Sequence, residues 1–157
     1  MTTFKQFLAE EHTRSWDGFP WNGYTGEEPR DRDVAPERLP NGDYVMYHGT
    51  SNKNANAIID QKLVKPDDLN CVGFCTTPGA ASVYGTMKGG GRRRKTGDGT
   101  GSTTLRCVID KNFLETHCIG GHETGGSGYN QFLFRKARGE AGWKGVPIKS
   151  AVRLKRT

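Results

Sequence analysis

Twenty-two glycines and seven prolines punctuate a chain of 157 residues, so its regular elements have to be short and its turns many. Only 33% of the residues are apolar, but 10% are aromatic, which supplies enough large side chains to organise one core. A chain of this length supports a single domain. The net charge of +6 favours acidic partners such as nucleic acid, phosphates or an acidic protein face, and says nothing about fold.

No apolar run reaches the roughly 20 residues that a bilayer requires. The opening MTTFKQFLAEEH is amphipathic, without a basic region, an apolar stretch or a small-residue cleavage site. A cytoplasmic monomer with no membrane association is expected, with action in a host or target cell left open. Cysteines 71, 75, 107 and 118 are compatible with two disulfides or with reduced thiols. CVGFC and HCIGGH together offer ligand types for tetrahedral zinc, but their spacing matches no ribbon or finger, and no metal is expected.

Phe4, Phe7 and Leu8 predict a short helix over residues 4–12, and residues 16–42 read as an irregular segment pinned by aromatic anchors. Residues 1–43 are thus expected to pack on a domain formed by residues 44–157. DYVMYHG suits a buried strand, and Ser51 or Asn52 can cap a helix with Ala55, Ile58, Ile59 and Leu63 on its apolar face. VGFCTTPG reads as a strand and turn, AASVYGTMK as a short helix, and GGGRRRKTGDGTGS as a cationic loop. TTLRCVIDKNFL predicts a central strand, HETGGSG a loop, YNQFLF a strand, and VPIKSAVRL a final strand entered through Pro147. Strand, helix, strand, helix and then mostly strands point to α+β rather than to a doubly wound parallel sheet.

The stretch YHGTS stands where the first long apolar strand gives way to a helix. Such a junction exposes backbone N–H groups beside an imidazole, an arrangement suited to a nucleotide. Taken in order, YHGTS, ANAIIDQKL, GFCTTP, AASVY, NQFLF and VPIKSAVRL resemble the ADP-ribosyltransferase superfamily, in its diphtheria-toxin and poly-ADP-ribose-polymerase branch. The resemblance covers roughly residues 44 to 155.

It implies a split, mostly antiparallel β-sheet with short flanking helices, and NAD as the substrate. It further implies that His48, within Tyr47, His48, Gly49 and Thr50, bonds the adenosine-side ribose, and that the Gly49 backbone holds the nicotinamide carboxamide. Tyr84, next to Ala81 and Ser82, would stack on the nicotinamide ring, with Phe74 facing it from the other side. The third position, commonly Glu, corresponds to Gln131. An amide keeps a hydrogen bond to the ribose 2′-OH but supplies no charge and no base. Glu123 in HETGGSG would restore a carboxylate by moving in from its loop.

The activity implied is mono-ADP-ribosyl transfer from NAD to a nucleic acid or protein. Arg92, Arg93, Arg94 and Lys95 are candidates for gripping that acceptor, with further cations in RKAR, Arg135 to Arg138, and in the tail RLKR. The alternatives are an NAD glycohydrolase, an RNA 2′-phosphotransferase, a non-catalytic module that binds NAD, ADP-ribose or nucleic acid, and a purely structural protein.

Overall fold

The computed structural model describes residues 13–16, 19, 34–89, 98–123 and 130–154. The central strand, β3 (Tyr44–Ser51), is buried along its whole length. Its alternation sends Tyr44 and Met46 into one apolar cluster and Val45 and Tyr47 into another, which is why it reads as a continuous apolar run. On one side of it lie β1 (Thr13–Arg14) and β2 (Glu37–Arg38), on the other β6 (Ser102–Ile109) and β10 (Ser150–Arg153). The order is β1-β2-β3-β6-β10 with every neighbouring pair antiparallel, and β3 and β6 pair from Tyr44↔Ile109 to Ser51↔Ser102.

A second antiparallel sheet has the order β5-β8-β7, from β5 (Val72–Phe74), β7 (Cys118–Glu123) and β8 (Asn130–Phe134). The two sheets meet at a bridge where Tyr47 and Cys75 exchange both backbone hydrogen bonds at 2.8 Å. A small ribbon pairs β4 (Leu63–Val64) with β9 (Val146–Pro147). The architecture is α+β with mostly antiparallel sheets and short helices, as the element order predicts.

Helix α1 (Asn52–Gln61) is capped by Ser51, whose hydroxyl accepts from the Asn54 N–H at 3.2 Å. It ends where Lys62 turns left-handed at φ 51° and returns its N–H to the Ile58 carbonyl at 2.7 Å. Helix α2 (Pro78–Gly89) lies on the Val45/Tyr47 face of the first sheet, where Ala80, Ala81 and Tyr84 complete the cluster. The short helix α3 (Lys111–His117) starts at Asp110, whose carboxylate caps the Phe113 N–H at 3.0 Å. In the larger cluster Phe19 meets Trp16, Tyr44 and Phe132 with ring centroids 5.4, 5.9 and 5.2 Å apart, and Phe74 meets Phe134 edge-on.

Asp43 ties three elements together. Its carboxylate accepts from the Lys111 N–H at 3.2 Å, from Asn41 at 3.0 Å and from the Lys149 ammonium at 2.8 Å. Burial pushes this carboxyl upward, but the Lys149 hydrogen bond and charge, with the Lys111 and Asn41 donors, outweigh it and hold the group below its ordinary value.

Several expectations change. Glu37–Arg38 is a strand within the segment read as irregular. Leu63 belongs to β4 instead of the helix face, because the left-handed Lys62 ends α1 first. The strand predicted over residues 103–114 stops at Ile109, and the Asp110 cap opens α3. His122 and Glu123, expected in a loop, close β7. VPIKSAVRL is not one strand: its ends join different sheets as β9 and β10. The helix expected over residues 4–12 lies outside the described residues. All four cysteines are free thiols. Among the described residues no helix is long and apolar enough to cross a membrane, and no group of three His, Cys, Asp or Glu is placed to hold a metal.

Candidate active site

His48 stands on β3 directly after the bridge between the sheets, 4% exposed, with Nδ1 2.7 Å from the Gly73 carbonyl on β5. A carbonyl only accepts, so Nδ1 carries the proton and donates, which leaves Nε2 to accept whenever the ring is neutral. Phe74 supports the imidazole from behind, with centroids 5.3 Å apart. The histidine is therefore fixed by one strand against the next.

Two glycines bring α2 against this sheet. A Cβ on Gly49 would lie 1.7 Å from the Ala81 carbonyl oxygen and 2.5 Å from the Gly85 nitrogen. One on Gly85 would lie 3.1 Å from the Thr103 oxygen and 3.2 Å from the Thr50 nitrogen. Helix and strand thus touch backbone to backbone, and Tyr84, one residue before Gly85, reaches the same cavity as Thr50. A third glycine sets the next side chain: a Cβ on Gly73 would lie 1.8 Å from Gln131 Nε2. On the outer face of the second sheet the Gln131 amide fills the space that Gly73 leaves.

His48, Thr50, Tyr84 and Gln131 accordingly line one cavity of about 460 Å³. Its other walls come from the α1 face carrying Asn54, Ala57, Ile58 and Gln61, and from the 63–73 segment with Lys65, Asp67 and Cys71. Lys65 is the cation among the described lining residues. Asp67 is the acid, and its Oδ1 accepts from the Leu69 and Cys71 N–H groups at 2.9 and 3.1 Å. Burial, reinforced by the Asp67 charge, raises the pKa of the Cys71 thiol.

Five other expected residues are placed differently. The Tyr47 hydroxyl donates to Glu37 at 3.4 Å from the opposite face of β3. Gly49 faces α2, so close helix packing accounts for its missing side chain. Phe74 is fully buried, edge-on to Phe134 and tilted against His48, so its ring backs the imidazole instead of facing Tyr84 across an opening. Ser82 is exposed on α2 and its hydroxyl donates to the Gly79 carbonyl at 2.8 Å. Glu123 pairs with Asn130 at the end of β7, one position from the His122↔Gln131 pair. Arg92, Arg93, Arg94 and Lys95 lie outside the described residues.

The strand-to-helix junction does not present open N–H groups either. The Asn52 N–H donates to the Gly101 carbonyl at 2.9 Å, that of Lys53 to Thr100 Oγ1 at 3.2 Å, and that of Asn54 to Ser51. Residues 98–101 thus close the helix terminus, and these N–H groups are not open to a ligand. The sequence reading missed Gln61, Asn54 and Lys65 as lining residues; the i, i+3, i+4, i+7 spacing of Asn54, Ala57, Ile58 and Gln61 was the available signal. Searches against protein families, curated proteins and solved structures return no match to this chain.

Proposed function

We propose that this protein is an NAD-dependent mono-ADP-ribosyltransferase that cleaves the nicotinamide–ribose bond and passes ADP-ribose to a macromolecular acceptor, nucleic acid or protein. One observation carries the reading: His48, Tyr84 and Gln131, drawn from β3, α2 and β8, line a single cavity. The proposed place of action is a cytoplasm, its own or a target cell's.

In this reading His48 Nε2 accepts a hydrogen bond from a ribose hydroxyl, Tyr84 lies against the nicotinamide ring, and the Gln131 amide oxygen accepts from the nicotinamide-ribose 2′-OH. Lys65 meets the pyrophosphate. The C–N bond breaks with its electron pair leaving on nicotinamide, and cationic character develops at C1′. The acceptor's lone pair forms the new bond to C1′, and its proton passes to solvent.

Gln131 offers that cation a dipole but no charge, and Asp67 Oδ1 is engaged by its own turn. The same neutrality favours a second reading, a module that binds NAD or ADP-ribose without cleaving it.

Incubation with adenylate-labelled NAD, with and without cell extract, separates the readings. Nicotinamide release with label on a macromolecule, abolished by His48→Ala, Tyr84→Ala and Gln131→Ala, is the expected result. Gln131→Glu is expected to raise turnover by on the order of tenfold or more, because a carboxylate adds charge where the cation develops. Label recovered only as free ADP-ribose makes the protein a glycohydrolase. NAD binding without nicotinamide release, in wild type and Gln131→Glu alike, makes it a binding module.

A further inference from the structure

Beside the cavity runs a second, more open groove of about 860 Å³, and Asp67, Cys71 and Gln131 belong to the walls of both. A group bound in this groove therefore meets the same Gln131 that lines the His48 cavity. We infer that it is the acceptor site and that it takes single-stranded nucleic acid, with phosphates on Arg135, Lys136 and Arg138 and a base against Leu69, Ile119 and Leu133. This assignment rests on the ADP-ribosyltransferase reading.

The groove joins two chemistries. Three cations face one acid, Asp67, among its lining residues, while Leu69, 83% exposed, stands with Ile119 and Leu133 as an aliphatic wall. Both edges are built on fixed backbone. The Asp67 carboxylate holds the turn that projects Leu69, and the Asn70 N–H closes it on the Asp67 carbonyl at 2.9 Å.

On the cationic edge, the Arg135 N–H donates to the His117 carbonyl at 3.1 Å and the Glu140 N–H to the Ala137 carbonyl at 3.0 Å. The Glu140 carboxylate accepts from the Ala137 N–H at 3.3 Å and pairs with His117 at 2.6 Å. The neighbouring acid is thus engaged at the base of the turn, and among the described residues none of the three cations is ion-paired.

A single strand offers phosphates to one edge and an unstacked base to the other. A duplex keeps its bases inside. An acidic protein face would meet the cations and leave the aliphatic wall wet. The overall charge of +6 supplies the field that draws a polyanion in.

The test is fluorescence anisotropy across a salt series, with labelled single-stranded DNA and RNA, the corresponding duplex, and polyglutamate as probes. NAD binding to each variant is measured by calorimetry, and folding by thermal melts. Single strands are expected to bind best. The triple variant R135S/K136S/R138S should lose about tenfold or more in affinity, with a salt slope shallower by about 2, the share of three phosphate contacts on a single strand. Leu69→Ser should weaken binding without changing the slope, and both variants should melt and bind NAD as wild type does.

Unchanged affinity and slope in the triple variant, or polyglutamate binding as tightly as single strands, overturns the assignment. NAD transfer to an acceptor that the triple variant performs unimpaired overturns the groove and leaves the enzyme reading standing. Single-strand binding as expected, by a protein that binds no NAD, overturns the groove's role in transfer together with the enzyme reading.

Discussion

Gly49 and Gly73 flank the seam between the two sheets, and the space each leaves is filled by a different kind of group. Beside Gly49 it is backbone, the Ala81 carbonyl of α2; beside Gly73 it is a side chain, Gln131 from its Cγ to its amide. The first is a condition of the fold, because a helix carbonyl cannot move aside without the helix. The second is a condition of the site, because an amide can swing away and leave the sheet intact. The same residue type, a few ångströms from the same histidine, thus serves packing on one side and chemistry on the other.

The sharpest way to break this contrast is to add one methyl group to each. Gly49→Ala is expected to destabilise by more than about 3 kcal/mol, or to prevent folding, as measured by urea denaturation. If Gly49→Ala melts like wild type, the packing side of the comparison is lost.

A smaller effect is expected from Asp43→Asn, which loads the same sheet without touching the seam; removing that charge from Lys149 and the Lys111 N–H should cost about 1–3 kcal/mol at neutral pH. The folded carboxyl lies below its ordinary value of 3.8, so its contribution is present above that value and is lost as pH falls through the folded pKa. The gap between wild type and Asp43→Asn in urea denaturation should therefore narrow in acid.

The smallest change in stability is expected from Gly73→Ala, within about 1 kcal/mol of wild type, since the backbone there does not require glycine and a fixed Cβ restricts the unfolded chain. Its effect should appear in the site: with Gln131 displaced, nicotinamide release should fall to the level of Gln131→Ala. Equal activity in Gly73→Ala and wild type would remove Gln131 from the chemistry.

What was legible in the sequence followed the range of the forces involved. β3, α1, α2 and β8 are announced by local patterns: a run buried on both faces, a capping Ser51, and an apolar periodicity. Only the end of β7, His122 and Glu123, falls in the HETGGSG loop expectation, and its earlier residues carry no strand expectation; Gly120 and Gly121 weaken the local pattern, and its strand character comes from β8, a partner the local text does not name. α3 spans seven residues, too few for a period to show, so its text reads as a continuation of the strand before it.

For the site, the order of motifs placed His48, Tyr84 and Gln131 in one reading, and the structure puts them on one cavity. It gave no sign that Gly49 packs on a helix, that residues 98–101 cap α1, or that Phe74 is wholly buried. Each of these depends on what meets the residue in space.

Cys71 is the half-exposed thiol of the four: Cys75, Cys107 and Cys118 are buried, and the thiol of Cys107 is pushed up to about 12. It stands in the wall common to both openings. The chain thus carries its own attachment point for a fluorophore or spin label. Because its thiol titrates above the usual range, labelling should be slow at neutral pH and accelerate in mild alkali, without first deleting the other cysteines. A probe there would report the filling of either side of the wall in real time, from a single position.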